Sequence, residues 1–150
     1  MAALVDTNIL VYRFDPRDLK KQARARQVLR EGLVDGSLRI PHQALMEFVP
    51  AVTQPTTSGP LLPATEAWHE LENFLVSYPI LYPTADVLRV AVRGATLHRL
   101  PWFDAHVWAY AETFGLTEII SEDFQHGRRY GAVRVVNPFI DEKPATRRPS

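Results

Sequence analysis

Three observations predict an α/β fold whose parallel sheet is covered by helices on both faces. The chain opens on a short apolar run, Ala2-Ala3-Leu4-Val5, which has no helical amphipathicity and stops at an acid, Asp6. Helical patterns and short β-forming runs then alternate along most of the 150 residues. Helical patterns follow closely on these runs, as strand–helix–strand units require. In an open sheet of this kind ligands bind beyond the carboxyl ends of the central strands. Asp6 is therefore expected on rigid backbone, facing a crevice.

The elements follow in order. Residues 7–14 can form a short helix that Asp15-Pro16 breaks. Residues 17–35 read as a long amphipathic helix with Leu19, Ala23, Leu29 and Leu33 on its inner face and Gly36 as its stop signal. Residues 37–40 form a strand, and Pro41 opens a helix bearing Ala44, Leu45, Phe48 and Val52 beside Glu47. Pro50 lies within that pattern and is expected to kink or end it. Residues 54–63, QPTTSGPLLP, are a loop rich in turn formers. The helix over 64–76 offers Trp68, Leu71, Phe74 and Leu75 to the core, and 79–82 is a brief strand. Thr84 caps a helix that runs to about Arg99 with Leu88, Ala91 and Ala95 inward. A linker over 100–103 leads to a helix opened by Asp104, bearing Val107, Trp108, Ala111 and Phe114, and ended by Gly115. Residues 117–120 and 133–136 are the last strands. One domain over 1–140 and a polar tail over 141–150 are expected.

Composition narrows the function. Hydrophobic residues at 46% and charged residues at 23% are ordinary for a soluble globular domain. The formal net charge is zero, so only the distribution of charge can speak for a polyanionic partner. The absence of cysteine removes disulfides, thiolate metal sites and cysteine nucleophiles together. The N-terminus has no basic segment before its apolar run, and no apolar stretch approaches the ~18 residues of a membrane helix. A cytoplasmic protein with no membrane partner is expected.

The acids carry the chemistry. Asp6 and Asp123 each follow closely on a short strand, Asp104 opens a helix, and Glu47 lies about two turns into a helix that itself follows a strand. In a doubly wound sheet all four positions can share the edge where strands end and helices begin. Singly, such an Asp is most often a turn former or helix cap, and Glu47 a solvated helix residue. Together, four carboxylates repel one another unless a cation intervenes. Hard oxygen ligands suit Mg²⁺ or Mn²⁺, which also bind phosphate oxygens, and such ions can activate water against a phosphodiester. The five histidines, His42, His69, His98, His106 and His126, show no metal-ligand pairing on a helix face.

The segments DTNILVY over 6–12, QALMEF over 43–48, WFDAHVWAYAETFG over 102–115, SEDFQHG over 121–127 and VRVVNPF over 133–139 resemble PIN-domain ribonucleases. Within that family they resemble VapC-type toxins of bacterial toxin–antitoxin pairs. The resemblance implies a three-layer fold with a parallel, roughly five-stranded sheet, and a metal-dependent endoribonuclease. By position, Asp6, Glu47, Asp104 and Asp123 would be the acidic quartet. Asp6, Asp104 and Asp123 would bind Mg²⁺ or Mn²⁺, and Glu47 would bind it or orient the attacking water. Thr7 and Ser121 would offer hydroxyls, and Asn8 would help fix the geometry. The partners implied are RNA, a VapB-type antitoxin and a second copy of the chain. Two other readings stand beside this one, an RNA-processing or DNA-directed nuclease without a toxin role and a catalytically silent RNA-binding module.

Six of the 17 basic residues fall between positions 17 and 30. Arg17, Lys20, Lys21 and Arg24 could track a phosphate backbone, although a solvated helix face has the same composition. Trp102, beside Asp104, could stack on a base or belong to the core.

Overall fold

The computed structural model describes residues 2–140; the expected tail over 141–150 lies outside them. The strands are β1 (Ala3–Val5), β2 (Leu38–Pro41), β3 (Ile80–Leu81), β4 (Glu118–Ile120), β5 (Arg129–Tyr130) and β6 (Val133–Val136). The helices are α1 (Thr7–Tyr12), α2 (Leu19–Asp35), α3 (His42–Thr53), α4 (Ala64–Ser77), α5 (Ala85–Leu97) and α6 (Trp102–Thr113). They build one sheet in the order β3-β2-β1-β4-β6-β5, parallel throughout except for β5 against β6. The first strand of the chain thus lies in the middle of the sheet.

Alternation along the strands divides the interior in two. Leu4, Ile119, Val133 and Val135 face a core shared with α5 and α6. Ala3, Val5, Leu38 and Ile40 face the other core, filled from α2, α3 and α4 by Ala25, Leu29, Phe48 and Phe74. Burial on both faces explains why β1 reads as a continuous apolar run rather than an alternating one.

Several expectations change. The sheet has six strands rather than five, because a two-residue edge strand, β5, folds back on β6. Pro50 does not end α3: the helix continues to Thr53, and Gln54 N–H closes on Pro50 O at 3.0 Å. The acceptor that loses its partner to a proline belongs to the residue four earlier. Here that is Met46, 65% exposed, where water can replace the missing N–H. Trp102 and Phe103 form the first turn of α6 rather than a linker, so Asp104 is the third helical residue.

The inner faces are also made of smaller residues than expected. Ala25, Val28, Leu29 and Gly32 bury on α2, while Leu19 and Leu33 are exposed. On α5 the buried set is Val87, Ala91 and Gly94, with Leu88 outside. Trp68, Leu75 and Phe114 are exposed too. The reason is close approach. A Cβ on Gly94 would stand 2.5 Å from Trp108 Cε3, and one on Gly32 would stand 2.1 Å from Leu38 Cγ.

Candidate active site

Strand register brings the acids to one edge. Val5 is aligned with Ile120, and Ile120 with Val136, so β1, β4 and β6 end level. Asp6 and Ser121 follow directly, and their backbone N–H groups extend the ladder to Ile120 O and Val136 O, both at 3.0 Å.

Asp6 caps α1 and is 4% exposed. Its Oδ1 accepts Thr7 N–H at 2.7 Å, and its Oδ2 accepts the Ser121 hydroxyl at 2.7 Å. Asn8 reaches across with one amide nitrogen, donating to Ser121 Oγ and Asp123 Oδ2, each at 3.1 Å. Ser121 Oγ also accepts Asp123 N–H at 3.1 Å. The three residues following β1 and the three following β4 are therefore tied into one polar network.

Glu47 arrives from α3. Its Oε2 accepts the Thr7 hydroxyl at 2.8 Å, and its Oε1 accepts Gln43 Nε2 at 3.1 Å. Gln43 Nε2 also donates to Phe103 O at 3.2 Å, which joins α3 to the first turn of α6 beside Asp104. Glu122 points elsewhere: its carboxylate takes the Tyr12 hydroxyl and Lys21 Nζ, the latter at 2.7 Å.

Electrostatics register the convergence. Burial pushes the Asp6 carboxyl from an ordinary 3.8 up to about 7. The bonds from Ser121 and Thr7 pull it down, and the charges of Asp123 and Glu47 push it up. Asp104 is also raised, first by burial and then by Asp123 and Glu47. The four acids come from four separate stretches of the chain, and Asp123 and Glu47 act as like charges on both Asp6 and Asp104. Ion pairs among the described residues involve Arg13, Arg17, Lys21 and Arg89, and none reaches the quartet.

The donor set, all carboxylate oxygen with no cationic partner among the described residues, matches a hard divalent ion. No three His, Asp or Glu side chains among the described residues stand arranged as a metal cage. Thr7, Gln43, Asn8 and Ser121 hold Asp6, Glu47 and Asp123 instead. Closing a cage around an ion would require side-chain rotation from these neutral partners.

The basic candidates separate. Arg17 is forked onto Asp15, with Nε and Nη2 each at 2.8 Å. Lys21 is held by Glu122, and Arg24 Nε donates to Pro138 O at 3.0 Å. Lys20 is exposed. The Trp102 ring is packed edge-on against His106 at 4.4 Å and is half exposed, outside the core. Gln43 received no role from the sequence; its place four residues before Glu47, one helical turn, was the available signal.

A family comparison settles the kinship of this acid-edged sheet: the PIN domain matches residues 3–131. The chain belongs to the PIN-domain family. No curated protein matches it by sequence. Solved structures resemble this PIN domain in fold at low identity. A toxin–antitoxin complex from Klebsiella pneumoniae superposes with a TM-score of 0.66 at 22% identity, covering 91% of this chain and 98% of that one. VapBC2 from Rickettsia felis, bound to a DNA fragment from its promoter, gives 0.66 at 15% identity over 90% and 97%. VapC20 from Mycobacterium tuberculosis, a toxin that cleaves the sarcin–ricin loop, gives 0.64 at 13% identity over 81% and 90%. No helix among the described residues is long and apolar enough to cross a membrane.

Proposed function

We propose that this PIN domain is a divalent-metal-dependent endoribonuclease and the toxin of a toxin–antitoxin pair. The observation that carries the reading is the meeting of Asp6, Glu47, Asp104 and Asp123 at one sheet edge with no lysine or arginine among the described residues to neutralise them. Asp6, Asp104 and Asp123 would hold Mg²⁺ or Mn²⁺. Bound there, the ion supplies Lewis acidity that favours ionisation of a water and neutralises charge on the leaving 3′-oxygen.

The remaining work falls to the chain. Glu47, gripped by Thr7 and Gln43, presents a carboxylate that orients the attacking water or joins the ligand set. Ser121 and Asn8 tie Asp6 to Asp123 in the metal-free arrangement, which keeps the two carboxylates at the same sheet edge. Lys21 holds Glu122 away from the quartet, which limits the negative charge that an incoming phosphodiester meets.

The antitoxin is supported by the neighbours that are themselves toxin–antitoxin or VapBC assemblies. A homodimer is supported by apolar side chains left at the surface of α4 and α5, namely Trp68, Val76, Leu88 and Val92.

The test is expression of the chain alone and with the product of a neighbouring gene, followed by mapping the 5′ and 3′ ends of broken cellular RNAs. The expected result is growth arrest with discrete RNA ends, relieved by the neighbour and absent from Asp6→Asn. Discrete ends without arrest leave an RNA-processing nuclease; ends unchanged in Asp6→Asn remove the nuclease assignment from this site.

A further inference from the structure

Resting on the reading of RNA as substrate, we infer that the cavity between α2 and residues 136–140 is a phosphate subsite for the strand lying across the acidic crevice. This cavity of about 530 Å³ is lined by Lys20, Lys21, Arg24, His126, Asn137 and Phe139. Part of its lining lies at the same sheet edge as Asp6 and Asp123, because β6 ends level with β4 and residues 136–140 continue from it. His126 stands three residues after Asp123, and Lys21 reaches Glu122, the neighbour of Asp123, at 2.7 Å.

Among the described residues the charges lining the cavity do not cancel. Lys21 is matched by Glu122. Among the described residues Arg24 donates only to neutral oxygens, Pro138 O and Gln27 Oε1, both at 3.0 Å. Lys20 is exposed and belongs to no ion pair among the described residues. Among the described residues, two cations without an acidic partner thus line a concave site adjoining the segment that carries Asp123. A phosphodiester chain fits this pairing: one anionic group lodges among the cations, and a neighbouring one meets the acids, where a divalent ion offsets the repulsion.

The walls are already set. His126 Nδ1 accepts Asn137 N–H at 3.0 Å. Asn137 Oδ1 accepts Phe139 N–H at 2.9 Å, and the Phe139 ring stands edge-on to Tyr12 at 5.0 Å. An aromatic wall beside the cations suits a nucleotide better than an acidic peptide, because a base or ribose can pack on it while its phosphate is held.

The test measures binding of a short fluorescein-labelled oligouridylate to the full chain carrying Asp6→Asn, so that turnover does not interfere, across a series of salt concentrations. Adding Lys20→Glu is expected to weaken binding about tenfold and to lower the slope of log Kd against log salt by about one. Arg24→Gln shifts both in the same direction. Arg30→Glu, an equal charge change further along α2 and outside the cavity, leaves both nearly unchanged, and matched thermal melts show that each variant is folded. Parent affinity and slope in Lys20→Glu overturn the subsite, as does an equal loss in Arg30→Glu, which marks diffuse charge. Loss of polyglutamate binding with RNA binding intact overturns it in favour of a protein partner. If Lys20→Glu binds RNA normally while the chain with Asp6 intact cuts RNA when metal is added, the subsite falls and the nuclease stands. If Lys20→Glu loses RNA in a chain that never cuts, the subsite stands and the nuclease falls.

Discussion

Ser121 Oγ donates to Asp6 Oδ2 at 2.7 Å across 115 residues of sequence, fastening the end of β4 to the end of β1. This bond favours the ionised Asp6 against the burial that opposes it. Ser121→Ala is expected to raise the Asp6 pKa further and, under the proposed activity, to move the acid limb of the pH–rate profile upward by about half a unit or more. The same variant loses about 1–2 kcal/mol of stability in urea titrations, since partners of the hydroxyl are left short of a bond.

Asp6 also makes stability depend on pH, and the sign is opposite to that of a salt-bridged acid. Its folded pKa of about 7 lies above the unfolded value, so the folded chain keeps a proton that the unfolded chain gives up. The stabilisation is complete below about pH 4, is lost between about 4 and about 7, and leaves a buried charge at its full cost above that. Asp6→Asn removes this slope. Urea titrations should find the variant more stable than the parent at pH 8, by on the order of 1 kcal/mol or more, with the gap closing toward pH 5. An unchanged gap across that range would contradict the raised pKa.

Under the proposed ligand set, protons and metal compete for the same oxygens. At pH 6 the Mg²⁺ concentration giving half-maximal RNA cleavage should be roughly tenfold or more above that at pH 8, and a large excess should restore the rate. A saturating ion should also raise the melting temperature of the parent but not of Asp6→Asn, because only the folded chain binds it. Chelation reverses both effects.

Packing gives a prediction independent of function. Gly94→Ala places a methyl 2.5 Å from Trp108 Cε3, on a ring whose Nε1 is fixed by a bond to Tyr130 O at 2.9 Å. The ring cannot swing away without breaking that bond. A loss of about 2–3 kcal/mol is expected in urea titrations, the usual cost of overpacking. A neutral result would mean that α5 can lift from α6 at little cost.

The acids were legible in the sequence because each sits where a local signal changes. Asp6 and Asp123 follow short apolar runs, and Asp104 and Glu47 lie in helices that the pattern already located. Helix faces were less legible. Reading α2 and α5 by their largest side chains selected Leu19, Leu33 and Leu88, whereas Gly32 and Gly94 mark the contacts, because closeness is bought by having no side chain. β5 escaped because two residues on a sheet edge carry no period of their own. Gln43 escaped because its importance lies in a carbonyl 60 residues away.

The order in which the chain is made differs from the order in which its sheet is assembled. β1 is made before the other five strands but finds one of its two neighbours, β4, only after more than a hundred further residues. A growing polypeptide on the ribosome therefore carries Asp6 long before Ser121 or Asp123 exists to meet it. The four acids therefore cannot meet until β4 and the residues that follow it have been made, and no shorter N-terminal fragment can assemble the crevice.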